Sequence, residues 1–402
     1  MTMVQLENAQ QILRSCTVFI HETEMVSLQK AIGRVLAEDV KAAADQPPFP
    51  RSPLDGYAVR GSDTKGLTKE QTRSFRVIGK IYAGEVFHGT VHGGEAVRIM
   101  TGAPIPEGAD TVIRQEWTDY GEEEVLIFGE SKPYQDYCFQ GEDYKKGEIL
   151  LKKGNVLDGI SIALLASLGM AQVEVYRLPR IAVISTGDEV IQPGEPLRPG
   201  KIYDSNLHFI CARLREIGIE PFYADHNADS AVCMAQKLYS IAKDVDLIIT
   251  TGGVSVGEKD IMHEVVNLLE AKELFWRVDL KPGAPTLAME FQGKPVICLS
   301  GNPFGAAVNF ELLVRSVIEK MTENPKWELK KSNAVLQSDF VKKSGVRRFL
   351  RAYAENGNVW LPDGNHASGV LSSMLGCNCL VEIPEKKHGA KKGEVVCIYH
   401  LM

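Results

Sequence analysis

The chain has 402 residues, enough for roughly two to four domains, each with its own core. Hydrophobic residues make up 44% and charged residues 24%, the balance of a soluble globular protein. A net charge of −7 offers no long-range attraction to nucleic acid, and no apolar run reaches membrane-spanning length, so nucleic-acid and membrane partners are both set aside. The eight cysteines include no C-x-x-C pair. Cys377 and Cys379 would share one face of a strand, and buried thiols are the plainer reading than a metal site. No basic-then-apolar leader precedes Gln11, so a cytoplasmic setting with reduced thiols is expected.

In chain order, Leu6, Ala9, Ile12, Leu13 and Cys16 are spaced for one face of a helix. A second element is expected over residues 27–40, and prolines at 47, 48, 50 and 53 then stiffen the path into a strand over residues 54–59. Asp55 stands at the end of that stiff segment, ahead of Gly56; by itself it reads equally as a turn aspartate bonded to its own backbone. Short strands and glycine turns over residues 75–125 predict a small β domain, with Thr101 on the rim of a Gly/Pro-dense loop. Gly141, Glu142, Asp143 and Gly147 close this region, and residues 157–168 read as a helix ended by Gly169.

From Arg180 to about Lys320 strands alternate with helices, the layout of a parallel sheet covered on both sides. Residues 181–185 form the first strand, with Gly187, Asp188 and Glu189 at its C-terminal end. Tyr203, Asp204, Ser205 and Asn206 open the next helix, with Asp204 or Ser205 as its cap. A strand over residues 219–223 is predicted to end just before Asp225. The run Asp246–Asp260 is the most telling. Leu247, Ile248, Ile249, Thr250 and Thr251 form a strand buried on both faces, Gly252 and Gly253 allow a tight turn close to a ligand, and Ser255, Gly257, Glu258 and Asp260 lead into a helix. Such a helix start suits an anion, with Asp260 holding a cation beside it; an ordinary capped turn is the plain alternative. Residues 296–299 give a further strand, followed by Ser300, Gly301, Asn302 and Pro303 and a helix.

On this reading Glu189, Asp225 and Asp260 gather beyond the strand ends of one sheet, where open α/β sheets bind ligands. Carboxylates brought together repel, so a divalent metal or a basic ligand is inferred among them. Mg²⁺ shared with phosphate oxygens fits. Lys281, before Pro282 and Gly283, is placed to grip an oxyanion or, more plainly, to face solvent. Residues 323–326 read as a linker. Short alternating strands after Ser332 predict a small β-barrel or sandwich. Arg347 and Arg351 would share one face of an extended segment there and offer guanidinium forks to a tetrahedral dianion, or form a solvated basic edge. Ser372 and Ser373 add hydroxyls between apolar residues.

The ordered set of motifs resembles the molybdopterin molybdenumtransferase family, which includes the E domain of gephyrin. It comprises Pro53–Ala58, Met100–Pro104, Gly141–Asp143, Ser185–Glu189, Tyr203–Asn206, Gly252–Gly257 with Asp260, Lys281–Gly283 and Gly301–Pro303. The resemblance implies a multidomain α/β-plus-β chain: a mixed α/β region over residues 1–54 and 140–178, an inserted small β domain over 55–139, a central three-layer α/β domain with a mostly parallel sheet over 179–324, and a C-terminal β-barrel over 330–402. It also implies a homodimer and a reaction. Adenylylated molybdopterin, supplied by an upstream molybdopterin adenylyltransferase, reacts with molybdate to give molybdenum cofactor and AMP, with Mg²⁺.

By the same resemblance Glu189, Asp225 and Asp260 surround the pterin and nucleotide phosphates and an acid of this set binds the metal. Asp204, Ser205, Asn206, Gly252, Gly253, Ser255, Gly257, Gly301, Asn302 and Pro303 belong to the same pocket. Asp55 and Thr101 reach in from the partner subunit. Lys281, Pro285, Ser372 or Ser373, and Arg347 or Arg351 border the molybdate. The chain departs from the family pattern at Ala284 for a lysine, at Ser300 and Gly305, and at Tyr137–Gln140, where arginines are usual. Two other readings are a nucleotide hydrolase of the competence-damage protein type, opposed by the region carrying Asp55 and Thr101, and a gephyrin-like scaffold, opposed by the lack of a long linker.

Overall fold

The computed structural model describes residues 3–254, 261–342, 345–364 and 366–401. Ser255, Gly257, Glu258 and Asp260 lie outside the described residues. The chain forms two compact units. One joins Glu38–Asn155 to Gly159–Ala171; the other joins Met1–Ala37, Val156–Asp158 and Gln172–Met402.

The first unit is built on a five-stranded sheet in the order Thr111–Arg114, Gly56–Val59, Glu95–Ile99, Arg73–Ile81, Glu124–Ile127. Tyr57 and Val59 pack with Phe75, Ile113 and Val125 on one face, whereas Ala58 packs with Ile81, Val97 and Val112 on the other. Both faces are covered, which is why the run Gly56–Val59 carries no polar alternation.

The second unit contains a six-stranded sheet in the order Tyr223–Asn227, Ile181–Thr186, Leu247–Thr251, Lys294–Leu299, Leu287–Phe291, Lys272–Trp276. The first four strands are parallel, Leu287–Phe291 runs antiparallel to Lys294–Leu299, and Lys272–Trp276 pairs antiparallel with Leu287–Phe291 in turn. Alternate residues of the buried strands feed two cores. Ile181, Val183, Leu247 and Ile249 pack with Leu6 and Leu13 of helix Leu6–Ser15, with Ile210 of helix Asn206–Glu216 and with Phe310 and Val317. Ala182, Ile184, Ile248 and Cys298 pack with Met234 and Leu238 of helix Ala231–Ile241 and with Val265 of helix Met262–Leu268. Helices thus pack against both faces of this sheet.

The C-terminal strands close into a barrel. Arg347–Glu355 pairs with Asn358–Trp360, that strand with Lys331–Leu336, then come Val395–His400 and Cys379–Ile383, which pairs back onto Arg347–Glu355. The barrel reading therefore stands over a sandwich.

Two sequence expectations are corrected. Residues 27–40 are not one element: a strand Thr23–Ser27 leads into a one-turn helix Leu28–Ala31. Residues 323–326 are not a free linker, because Asn324 is 1% exposed, donates to the Gly33 carbonyl at 3.0 Å and caps the short turn Pro325–Trp327.

Candidate functional site

Strand Ile181–Thr186 hands the chain outward through helix Asn206–Glu216 to the edge strand Tyr223–Asn227, and the chain then crosses back to Leu247–Thr251. The connections part above the C-terminal ends of Ile181–Thr186 and Leu247–Thr251, where open α/β sheets leave a crevice. A cavity of ≈ 630 Å³ opens there.

Its floor depends on close backbone approach. Gly252 has φ +94°, and a Cβ on it would sit 2.3 Å from the Thr186 carbonyl oxygen. The Gly252 N–H donates to the Leu299 carbonyl at 3.1 Å, so this loop lies against both neighbouring strand ends.

One wall is Asp204, Ser205 and Asn206. Asp204 is 4% exposed; it accepts the Ser185 hydroxyl on one oxygen and the Leu207 N–H, at 3.0 Å, on the other. Of the two cap candidates the structure selects Asp204, since the Ser205 side chain makes no capping bond. Asn206 donates to the Gly301 carbonyl at 2.8 Å, tying this wall to the loop of Gly301, Asn302 and Pro303. The Asn206 side-chain amide oxygen, Oδ1, is buried with no partner among the described residues.

The opposite rim is acidic. Glu189 is exposed and lines the cavity. Asp229 accepts the Thr186 hydroxyl at 2.8 Å and the Asp188 N–H at 3.1 Å, while Asp188 accepts the Asp229 N–H at 3.1 Å. Among the described lining residues the charged ones are Glu189, Asp204 and Asp229, with no lysine or arginine.

Asp225 is therefore corrected. The strand runs Tyr223–Asn227 instead of ending at residue 223, so Asp225 pairs with Ile184 in mid-ladder. Its carboxylate accepts from Lys237 Nζ at 2.8 Å and the Tyr223 hydroxyl at 2.6 Å. Burial pushes its carboxyl up, but those bonds and the His226 N–H outweigh it and hold the group below the usual range. The acid just past the strand end is Asp229. The signal that could have found it is its place before Ser230, which caps helix Ala231–Ile241.

The expected pocket members Glu189, Asp204, Ser205, Asn206, Gly252, Gly253, Pro285, Gly301, Asn302 and Pro303 all line the one cavity, joined by Gly369 and Leu371. The expected oxyanion residues are placed elsewhere. Lys281 is exposed on a short strand that pairs with Arg347 and Arg348. Arg347 is held by Glu7 and, at 2.6 Å, by Glu382. Arg351 is 1% exposed, stacks 4.1 Å over the Phe304 ring and donates to the carbonyls of Val370 and Ala367 at 2.7 and 2.9 Å. Both guanidinium groups are thus engaged by the protein's own carboxylates and carbonyls. Ser373 donates to the Val370 carbonyl at 3.1 Å, and Ser372 borders a separate apolar cavity beside Met374 and Leu380.

In the other unit Asp55 and Thr101 are joined directly. The Thr101 N–H and hydroxyl both donate to one Asp55 oxygen, at 2.7 and 2.8 Å. The Thr101 bonds, backbone first, hold the Asp55 carboxyl below its usual range.

Comparison with known proteins follows the same layout. Residues 4–169 match the model of the MoeA N-terminal region (domain I and II), residues 182–320 a probable molybdopterin binding domain, and residues 333–401 the MoeA C-terminal region (domain IV). The molybdopterin molybdenumtransferase of Staphylococcus aureus (strain COL) is 36% identical over 376 residues, 93% of this chain and 90% of its own length. The chain belongs to the molybdopterin molybdenumtransferase family. A Staphylococcus epidermidis molybdopterin molybdenumtransferase is also 36% identical, over 92% of this chain and 89% of its own. A crystal structure of the molybdopterin biosynthesis MoeA protein of Pyrococcus horikoshii superposes with a TM-score of 0.85 at 32% identity, covering 100% of both chains. As a molybdopterin molybdenumtransferase family member, the protein is an enzyme of molybdenum cofactor biosynthesis. Its cavity is built from the segment matching the molybdopterin binding domain, with Gly369 and Leu371 added by the C-terminal region.

Proposed function

We propose that the protein inserts molybdate into adenylylated molybdopterin and releases AMP. The observation that carries this reading is the cavity at the sheet's switch point, walled by Glu189, Asp204 and Asp229 with no lysine or arginine among its described lining residues. Among the described lining residues every charged side chain that a phosphorylated guest meets is negative, which favours a cation entering with it.

The donor set suits Mg²⁺: carboxylates, hydroxyls and carbonyls, all oxygen. Among the described residues no three carboxylate, imidazole or thiol side chains lie close enough to hold a metal alone. The ion would therefore share substrate phosphate oxygens, with Glu189 and Asp229 as its protein ligands and Asp260 assigned to it by the family resemblance. When bound, Mg²⁺ neutralises the phosphoanhydride. The protein's own groups do the rest: Gly252 lets the backbone come close, Asp204 and Asn206 fix the wall, and Pro285 stands on the side assigned to molybdate, near the loop carrying Lys281.

In the proposed homodimer Asp55 and Thr101 come from the partner subunit. Helix Gly159–Ser167 supports a dimer: it is predominantly apolar, yet only Leu165 is buried within the chain and Ile160 is 80% exposed. Large apolar side chains left exposed on such a helix call for cover. A molybdopterin adenylyltransferase would supply the substrate, in the cytoplasm.

Titration calorimetry with AMP tests the site. Binding is expected with Mg²⁺ and should fall at least tenfold without it or in Glu189→Gln. Equal affinity with and without Mg²⁺ would contradict the assignment.

A further inference from the structure

A histidine stands behind the cavity wall. His226 lies on the edge strand opposite Ser185 in the parallel ladder, so their side chains share a face. The Ser185 hydroxyl is 3.1 Å from His226 Nδ1 and bonds to Asp204 on its other side. Ser185 is 2% exposed and Asp204 4% exposed, so water does not serve either group freely. His226 does not line the cavity; it reaches Asp204 through Ser185.

A serine hydroxyl has one proton to give and can accept others. The chain of three groups can therefore run in two consistent directions. Either His226 Nδ1–H donates to Ser185 and Ser185 donates to an ionised Asp204, or a protonated Asp204 donates to Ser185 and Ser185 donates to a bare Nδ1. Asp204 also accepts the Leu207 N–H, at the start of helix Asn206–Glu216, where the helix field favours a negative carboxylate. That selects the first direction.

We propose that His226 is a positioning residue for the phosphate-ligand cavity: held as its Nδ1–H tautomer, it orients the Ser185 hydroxyl onto Asp204 and so fixes the Asp204–Asn206 wall. The proposal rests on the molybdopterin reading for what the wall is used for, but the hydrogen-bond direction stands apart from it. Neutral histidine free in water prefers the Nε2–H form, so the tautomer is an informative signature.

The test uses the full-length protein with ¹⁵N-labelled imidazoles at pH 8, the His226 signals being those lost in His226→Asn. The wire predicts Nδ1–H in the wild type and reversion to Nε2–H in Ser185→Ala. In AMP titrations with Mg²⁺, His226→Leu should weaken binding about fivefold, the worth of one net hydrogen bond. His226→Asn, whose amide N–H can replace Nδ1–H, should stay within about twofold. His226→Leu should add nothing in a Ser185→Ala background. An Nε2–H wild type, or additive losses in the double variant, overturns the proposal. If the wild type binds no AMP, the functional reading falls, while the tautomer still decides the direction of the wire.

Discussion

Asp55 accepts two hydrogen bonds from Thr101 on one carboxylate oxygen, from the backbone N–H at 2.7 Å and the hydroxyl at 2.8 Å. The residues are far apart in sequence, on separate loops, and from the sequence each is a site candidate by itself. Their direct contact joins them into one hydrogen-bonded unit, a carboxylate aimed by a threonine.

Thr101→Val keeps the backbone bond and removes the hydroxyl. The Asp55 carboxyl is held low by the Thr101 backbone N–H and then by its hydroxyl, so the variant should titrate at higher pH by carboxyl NMR. The group's pKa is depressed in the folded state. Its stabilising effect is therefore complete above the ordinary aspartate pKa of about 4 and is lost as pH falls through the lowered value. The variant should shrink that acid-side loss. An unchanged Asp55 titration would show that the hydroxyl contributes nothing.

Gly252 and Gly301 both line the cavity but should differ sharply on substitution. A Cβ at Gly252 meets the Thr186 carbonyl at 2.3 Å on a backbone with φ +94°, whereas at Gly301 the nearest atom is Gly252 Cα at 3.6 Å. Gly252→Ala should cost about 1–3 kcal/mol in urea unfolding, and Gly301→Ala less than about 0.5. Similar midpoint shifts for the two would contradict this.

Much of this was legible from residue order. The strand Leu247–Thr251 announces itself as an unbroken β-branched run, and the double glycine after it marks the close approach. Asp229 was hidden because the edge strand Tyr223–Asn227 is polar, while the apolar signal before it belongs to Ile219, which is buried in the core between helix and strand. The fate of Arg351 was equally hidden. An arginine in a basic cluster reads as a solvent or anion contact, and only the packed chain puts Phe304 beneath it and two carbonyls in front of it.

Glu311, 3% exposed, bridges Arg213 at 2.8 Å and Arg315 at 2.9 Å. Removing one member of such a group leaves buried charge uncompensated. Glu311→Ala should lower stability by about 3–5 kcal/mol, read as the urea midpoint. A loss below about 1 kcal/mol would mean that water reaches the arginines.

Ile160→Glu places a charge on the exposed apolar helix without touching a described core contact. If that helix is covered by a second copy, light scattering should show the 44.3 kDa chain as a dimer in the wild type and as a monomer in the variant. A variant that remains dimeric would place the interface elsewhere.

The most direct measurement is turnover with the full substrate set. Purified protein mixed with adenylylated molybdopterin, Mg²⁺ and molybdate should release AMP in step with molybdenum cofactor, and omission of either molybdate or Mg²⁺ should suppress both products. AMP release that proceeds equally without molybdate, or no AMP release from the complete mixture, would contradict the account.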